Sequence, residues 1–268
     1  MPRQARLDSP GTLHHVMVRG VEKRRIVDDE TDRRNFVRRL GALAEETRTA
    51  IYAWALMSNH AHLLVCSGAL GLAKFMRRLL TGYAVSYNLR HRRHGHLFQN
   101  RYKSIVCDGD SYFTELVRYI HLNPLSVGLV KDLKELEKYP YCGHGTILGR
   151  PASSWQDCDS VLAQFGRRAS EATEAYRRFV AEGIALGRRP ELVGGGLTRS
   201  AGNGLQSDHT DPVERGSYLM SGYWGVENLW SASLERRGHE RSANLERERE
   251  IVTPSVWWPR NARKAECR

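Results

Sequence analysis

The residues most able to do chemistry in this chain are His60 and His62, set in the triplet His60-Ala61-His62 directly after Ser58-Asn59. An apolar run, Leu63-Leu64-Val65, follows them. Side chains at i and i+2 of a strand point to one face, so both imidazoles would face a common point. Two neutral imidazoles so placed can hold a divalent cation, and that cation can hold a phosphate. By itself the pair reads equally as two strand histidines, one exposed and one satisfied by a hydrogen bond.

A second constellation lies at Tyr119-Ile120-His121-Leu122-Asn123. On a helix, residues i and i+4 share a face, so Tyr119 and Asn123 project together. An amide oxygen and two imidazole nitrogens form an incomplete coordination sphere, open to water and phosphate oxygens. Mg²⁺ prefers oxygen ligands and keeps waters, whereas Mn²⁺ accepts imidazole more readily. Either ion would withdraw charge from a phosphodiester under attack. The nucleophile at hand is the Tyr119 hydroxyl, and the product would be a phosphotyrosine. A free tyrosine titrates near ~10, so the cation or a basic cluster must assist its deprotonation. The competing reading of Tyr119 is a helix tyrosine packed against a sheet.

The elements that must position these groups are legible from periodicity. Leu13 to Val18 reads as a strand, with Val16 and Val18 alternating, ended by Gly20. Asp28-Asp29-Glu30 opens a helix with acids in its first turn, and Phe36, Val37, Leu40, Leu43 and Ala44 follow at helical spacing. Ile51 to Met57 and His60 to Cys66 read as an antiparallel strand pair around Ser58-Asn59. Leu70 to about Arg90 is an amphipathic helix, broken at His94-Gly95-His96. Leu97 to Val106 reads as extended, with Arg101 and Lys103 on one face. Asp110 or Ser111 caps a further helix, which Asn123-Pro124 is expected to end. The order strand, helix, strand, strand, helix, strand, helix predicts an α+β fold: a ferredoxin-like sandwich with an antiparallel sheet and additional C-terminal helices. Ser160 to Leu186 reads as two of those helices. The expected division is 1–149 for the catalytic domain, 150–193 for a helical extension and 194–268 for a divergent tail.

Charge favours an acidic partner, with nucleic acid the default. The chain of 268 residues carries a formal net charge of +11, and residues 1–130 supply +9 of it from 20 Lys+Arg against 11 Asp+Glu. Between Glu46 and Asp108 there is no acid but nine basic residues, the window that also holds the histidine pair. A one-signed window suits phosphate neutralisation. Arg101 and Lys103 are candidate DNA contacts on the extended segment. Arg90, Arg92 and Arg93 are candidates at a helix end, where solvated basic residues are also favoured by the dipole. Arg19, after the first strand, could reach a phosphate. His14 and His15 read as strand packing and hydrogen bonding rather than metal ligation. Tyr102 reads equally as a base-stacking or a core residue. The five cysteines are scattered without Cys-x-x-Cys spacing, which argues against a zinc ribbon or redox motif. With no apolar run of signal-peptide or membrane-span length, a cytoplasmic protein without a membrane partner is expected.

Four stretches carry a family resemblance: Leu13-His14-His15-Val16-Met17-Val18-Arg19-Gly20, Met57-Ser58-Asn59-His60-Ala61-His62-Leu63-Leu64, Leu97-Phe98-Gln99-Asn100-Arg101-Tyr102-Lys103-Ser104 and Tyr119-Ile120-His121-Leu122-Asn123-Pro124. In this order they resemble the single-tyrosine HUH transposases, in particular the REP-associated tyrosine transposases, over roughly residues 11–149. The resemblance implies a ferredoxin-like domain acting on single-stranded DNA with hairpin structure. It implies His60 and His62 as ligands of Mg²⁺ or Mn²⁺, Tyr119 as the nucleophile that keeps the 5′ phosphate and releases a 3′ hydroxyl, and Asn123 as a third ligand. Such transposases can be homodimers. The alternatives are a non-catalytic hairpin-binding module derived from a transposase, and a hydrolase in which water attacks instead of Tyr119. The acid-free window counts against the hydrolase.

The chain departs from the family after Gly194-Gly195-Gly196. Met220 to Trp230 lacks the helical, helix-turn-helix-like continuation of longer members. One permitted back-translation of that segment, read in the neighbouring frame, restores a family-like run. A frameshift near residue 202 is therefore expected, with a poorly ordered tail beyond it.

Overall fold

A computed structural model describes residues 9–107, 110–150 and 153–187. Strands β1 (Leu13–Arg19), β2 (Ala50–Leu56), β3 (His60–Cys66) and β4 (Lys103–Val106) form one antiparallel sheet in the order β2-β3-β1-β4. Helix α1 (Glu30–Thr47) joins β1 to β2, and α2 (Leu72–Arg90) joins β3 to β4. This is the expected ferredoxin-like order.

The two sheet faces have different chemistry because side chains alternate along each strand. One face presents Val16, Val18, Leu63, Val65, Trp54 and Leu56, which pack on Phe36 and Leu40 of α1 and on Phe75, Met76, Leu79 and Tyr83 of α2. On the other face the register sets His15 opposite Leu64, Met17 opposite His62 and Arg19 opposite His60. Helix α3 (Asp110–Ser126) covers this second face, packing on β2 and β3. Tyr52, at a bulge in β2, sets its ring edge-on to Phe113 of α3 with 5.2 Å between centroids.

The local starts follow the sequence. Asp29 caps α1, its carboxylate accepting the Asp32 N–H at 3.1 Å. Two expectations need correction. Helix α3 does not end at Asn123-Pro124 but runs through it to Ser126. A proline removes only its own N–H, and the carbonyls of Asn123 and Pro124 still accept from Val127 and Leu129 at 3.0 and 2.9 Å. Gly128, at φ +73°, then turns the chain. Asn123 therefore keeps its place one helical turn after Tyr119. The extended segment is also shorter than expected. Only Lys103–Val106 is a strand; before it, Phe98 forms an isolated bridge with Gly20, just past β1, and the Gln99 N–H donates to the Arg19 carbonyl at 2.9 Å.

Four short or mid-length helices follow: α4 (Leu133–Lys138), α5 (His144–Ile147), α6 (Cys158–Leu162) and α7 (Ala169–Glu182), the last two being the expected pair. The Tyr176 hydroxyl of α7 lies 2.8 Å from His121 Nδ1 and 2.7 Å from His144 Nδ1. The expected tail from residue 194, with its frameshift near 202, lies outside the described residues. Among the described residues no helix is long and apolar enough to cross a membrane.

Candidate active site

His60 and His62 open β3 and point to the face that α3 covers, as alternation requires. Their ring centroids are 5.3 Å apart, and the Tyr119 ring meets His62 edge-on at 5.7 Å. Residues separated by a long stretch of sequence thus meet because α3 lies across β3. Asn123 is on the same helix, and its Nδ2 donates to the Tyr119 carbonyl at 3.1 Å. That bond engages Nδ2 and leaves Oδ1 as the atom that could ligate a cation.

The orientation of both imidazoles is fixed from behind. His60 Nδ1 lies 2.6 Å from Asn59 Oδ1, and His62 Nδ1 lies 2.9 Å from His15 Nε2. Each ring therefore has Nε2 as its remaining nitrogen. Burial, reinforced by the Arg19 charge, pushes His60 down to about 4. Burial pushes His62 well down too, with His15, His60 and Arg19 adding to the effect. Both rings are neutral near pH 7, the form in which imidazole ligates a metal. The Tyr119 hydroxyl is pushed up by burial, and the Asn123 amide opposes that shift.

His15, expected to serve strand packing and hydrogen bonding, does both against a site residue. It is fully buried and stacks on His62 with 5.2 Å between centroids, and the Tyr119 ring lies edge-on to it at a centroid distance of 5.9 Å. Its place on the Arg19 side of β1 was readable from alternation; its pairing with His62 needed the β1–β3 register. His14 points the other way, its Nδ1 lying 3.0 Å from Ser104 Oγ.

The basic candidates divide. Arg19 is exposed beside His60, its partner in register. Lys103 lies across from Met17, which lies across from His62, so all three share a row on the site face. Arg101 is exposed just before Lys103. Arg90 belongs to a different construction: it pairs with Asp29, and its Nη1 lies 2.7 Å from Asp32. His91 Nε2 adds a contact to Asp32 at 2.8 Å. The Arg90 guanidinium holds the Asp29 carboxyl down at about 2. Arg90 thus ties the end of α2 to the start of α1. Arg92 is exposed, and the Arg93 guanidinium sits 5.7 Å from the centre of the Tyr87 ring. The donor atoms of Asp28, Asp32 and His91 approach within 4.8 Å of one another. Arg90 and Tyr87 already hydrogen-bond those carboxylates, which makes the group a helix-capping network.

Residues 10–123 match the family described as IS200-like transposases. The match begins just before β1 and ends on Asn123, so it spans every site residue named above. Among solved structures, a REP-associated tyrosine transposase bound to a REP hairpin is similar at 15% identity and a TM-score of 0.47, covering 58% of this chain and 90% of that one. The tRNA(His) guanylyltransferase of Saccharomyces cerevisiae is similar at 9% identity and a TM-score of 0.34, covering 67% of this chain and 81% of that one. No curated protein sequence matches the chain.

Proposed function

We propose that the protein cleaves and rejoins single-stranded DNA beside a hairpin, through a 5′-phosphotyrosine on Tyr119, with a divalent metal held by His60, His62 and Asn123. The observation that carries this reading is the contact of Tyr119 with His62, beside His60, on one sheet face. The residues fit a metal: both histidines are neutral, and both have Nδ1 engaged so that Nε2 is presented. Mn²⁺ suits the imidazoles, and Mg²⁺ remains compatible through the amide and waters. When bound, the ion supplies charge withdrawal at the scissile phosphate.

The chain's own residues do the rest. Tyr119 Oη forms a bond to phosphorus and gives up its proton, while the bond to the 3′ oxygen breaks and that oxygen takes up a proton. The 5′ phosphate stays on Tyr119, and the reverse attack by a 3′ hydroxyl rejoins DNA without an external energy source. Burial holds the Tyr119 proton at rest, and the Asn123 amide favours its release. His15 fixes the His62 ring. Arg19, Lys103, Arg101, Arg92 and Arg93 are proposed to neutralise phosphates on either side of the scissile bond. Arg90, the remaining basic candidate, has the weakest case, since carboxylates hold both Nη atoms.

The test is incubation with labelled single-stranded hairpin DNA and Mn²⁺ or Mg²⁺, followed by denaturing electrophoresis. A covalent adduct is expected in the native sequence, and Tyr119→Phe should abolish it while hairpin affinity changes less than about threefold. Cutting that survives Tyr119→Phe would assign attack to water. Binding with no cutting would reduce the protein to a hairpin-binding module.

A further inference from the structure

On the side of the sheet away from Tyr119, α1 and α2 enclose a groove of about 600 Å³. Its walls are Arg38 and Arg39 from α1 and Arg77 and Arg78 from α2. Each helix repeats one pattern, an arginine pair followed one turn later by a small side chain, Ala42 or Gly82. The small residues open the floor while the arginines stand above it. A Cβ on Gly82 would lie 2.9 Å from Arg39 Nη1, so the glycine gives that guanidinium room to lie in the groove.

The charge is left largely uncancelled. Arg39 donates to Asn35 Oδ1 at 3.0 Å and to Ser86 Oγ at 2.6 Å, two neutral acceptors that orient it. Arg38 and Arg77 are exposed and make no ion pair among the described residues. Only Arg78 is matched by a carboxylate, at 2.6 and 2.7 Å from Glu46. Helix α2 contains no acid at all. Helix packing does not call for this arrangement, since the apolar faces of α1 and α2 already meet beneath it. Guanidinium forks gathered without counter-charge repel one another unless an anion lies between them, and their planar donors match phosphate.

We propose that this groove is a second nucleic-acid contact, holding backbone phosphates of the substrate DNA at a point remote from the joining site. A lone phosphate would leave some of the three guanidiniums that lack a carboxylate (Arg38, Arg39 and Arg77) unmet, whereas a strand offers a row of phosphates to both helices. The proposal rests on the reading of the Tyr119 site for the identity of that DNA. A long substrate would be held at two places and a short one at the joining site alone.

The experiment compares a hairpin DNA carrying long flanks with a short oligonucleotide spanning the cleavage point, by fluorescence anisotropy across a salt series. Arg38→Gln with Arg77→Gln should lower affinity for the long DNA about tenfold and reduce its salt slope by roughly 1.4–1.8, the loss of two phosphate contacts. Affinity for the short oligonucleotide should change less than about twofold. Arg38→Lys with Arg77→Lys keeps both charges and should restore most of the slope. An unchanged affinity and slope on long DNA overturns the proposal. So does loss of inorganic phosphate binding, measured by calorimetry, without loss of DNA binding, because that outcome assigns the groove to a free anion. Absence of a Tyr119 adduct in the unmodified protein would instead refute the reading of the joining site, and the groove result would stand as a nucleic-acid contact.

Discussion

Replacing His15 with Phe tests how the site is oriented. A metal on His62 Nε2 requires the ring proton on Nδ1, and that proton needs an acceptor. His15 Nε2, 2.9 Å away and buried, is that acceptor. Phenylalanine keeps the apolar bulk and most of the stacking on His62 but offers no lone pair. The stranded Nδ1–H should destabilise the fold by about 1–3 kcal/mol, the usual cost of an unsatisfied buried donor. The larger consequence is at the metal. Loss of the group that orients a ligating histidine typically weakens metal affinity about 10–100-fold, equivalent to roughly 1.4–2.7 kcal/mol. Mn²⁺ titration followed by electron paramagnetic resonance reads that change directly, and a thermal melt without metal reads the structural part. His15→Gln places an amide near the position of Nε2 and should recover most of the affinity. If His15→Phe binds Mn²⁺ within twofold of the native protein while its melting point falls, His15 only packs the sheet and the orienting role is wrong.

Two further outcomes follow from the remaining clusters. Burial holds His144 at about 4 against an ordinary 6.5, so the unfolded chain binds more protons than the folded one between those values. Stability should therefore fall as pH drops from about 6.5 to about 4, by up to roughly 3 kcal/mol from this group. His144→Phe should flatten that part of a urea-midpoint profile, and an unchanged slope would place the acid sensitivity elsewhere. Arg90→Ala removes the tie from α2 to Asp29 and Asp32 and should lower the urea midpoint with little change in DNA affinity. Lost affinity at an unchanged midpoint would instead make Arg90 a DNA ligand.

Local periodicity made most of the framework legible. The alternation of β1 and β3, the length of α2 and the spacing of Tyr119 and Asn123 are properties of short windows, and the structure has them in the expected order. The less legible features depend on pairings across the chain. His15 became part of the site only through a register that sets it diagonally to His62. Arg90 reads in sequence as one basic residue in a one-signed stretch, yet its partners Asp29 and Asp32 are the cap and first turn of α1 and precede the acid-free window. Pro124 is a subtler case. The rule that proline ends helices weighs the lost N–H and the strain on the preceding residue, and here the packing of α3 over the sheet outweighs both.

Helix α3 links the candidate site to the helices that follow the sandwich. Tyr119 and Asn123 face the histidines, while Arg118 and His121 on the neighbouring side of the same turn hold α7. His121 meets the Tyr176 hydroxyl, and Arg118 donates to the Phe179 carbonyl at 3.2 Å and lies 4.1 Å from the centre of its ring. The approach is close: a Cβ on Gly183 would come within 2.5 Å of Arg118 Cδ. A rotation of α3 that moved Tyr119 off His62 would have to break these contacts as well. Two imidazole Nδ1 atoms share the Tyr176 hydroxyl, which has one proton to donate and lone pairs to accept. That arrangement satisfies the hydroxyl in one geometry and penalises others, because a buried polar group displaced from its partner carries its full desolvation cost. Tyr119, the proposed nucleophile, is thus held on a helix that is itself braced by side chains outside the segment that matches the transposase family.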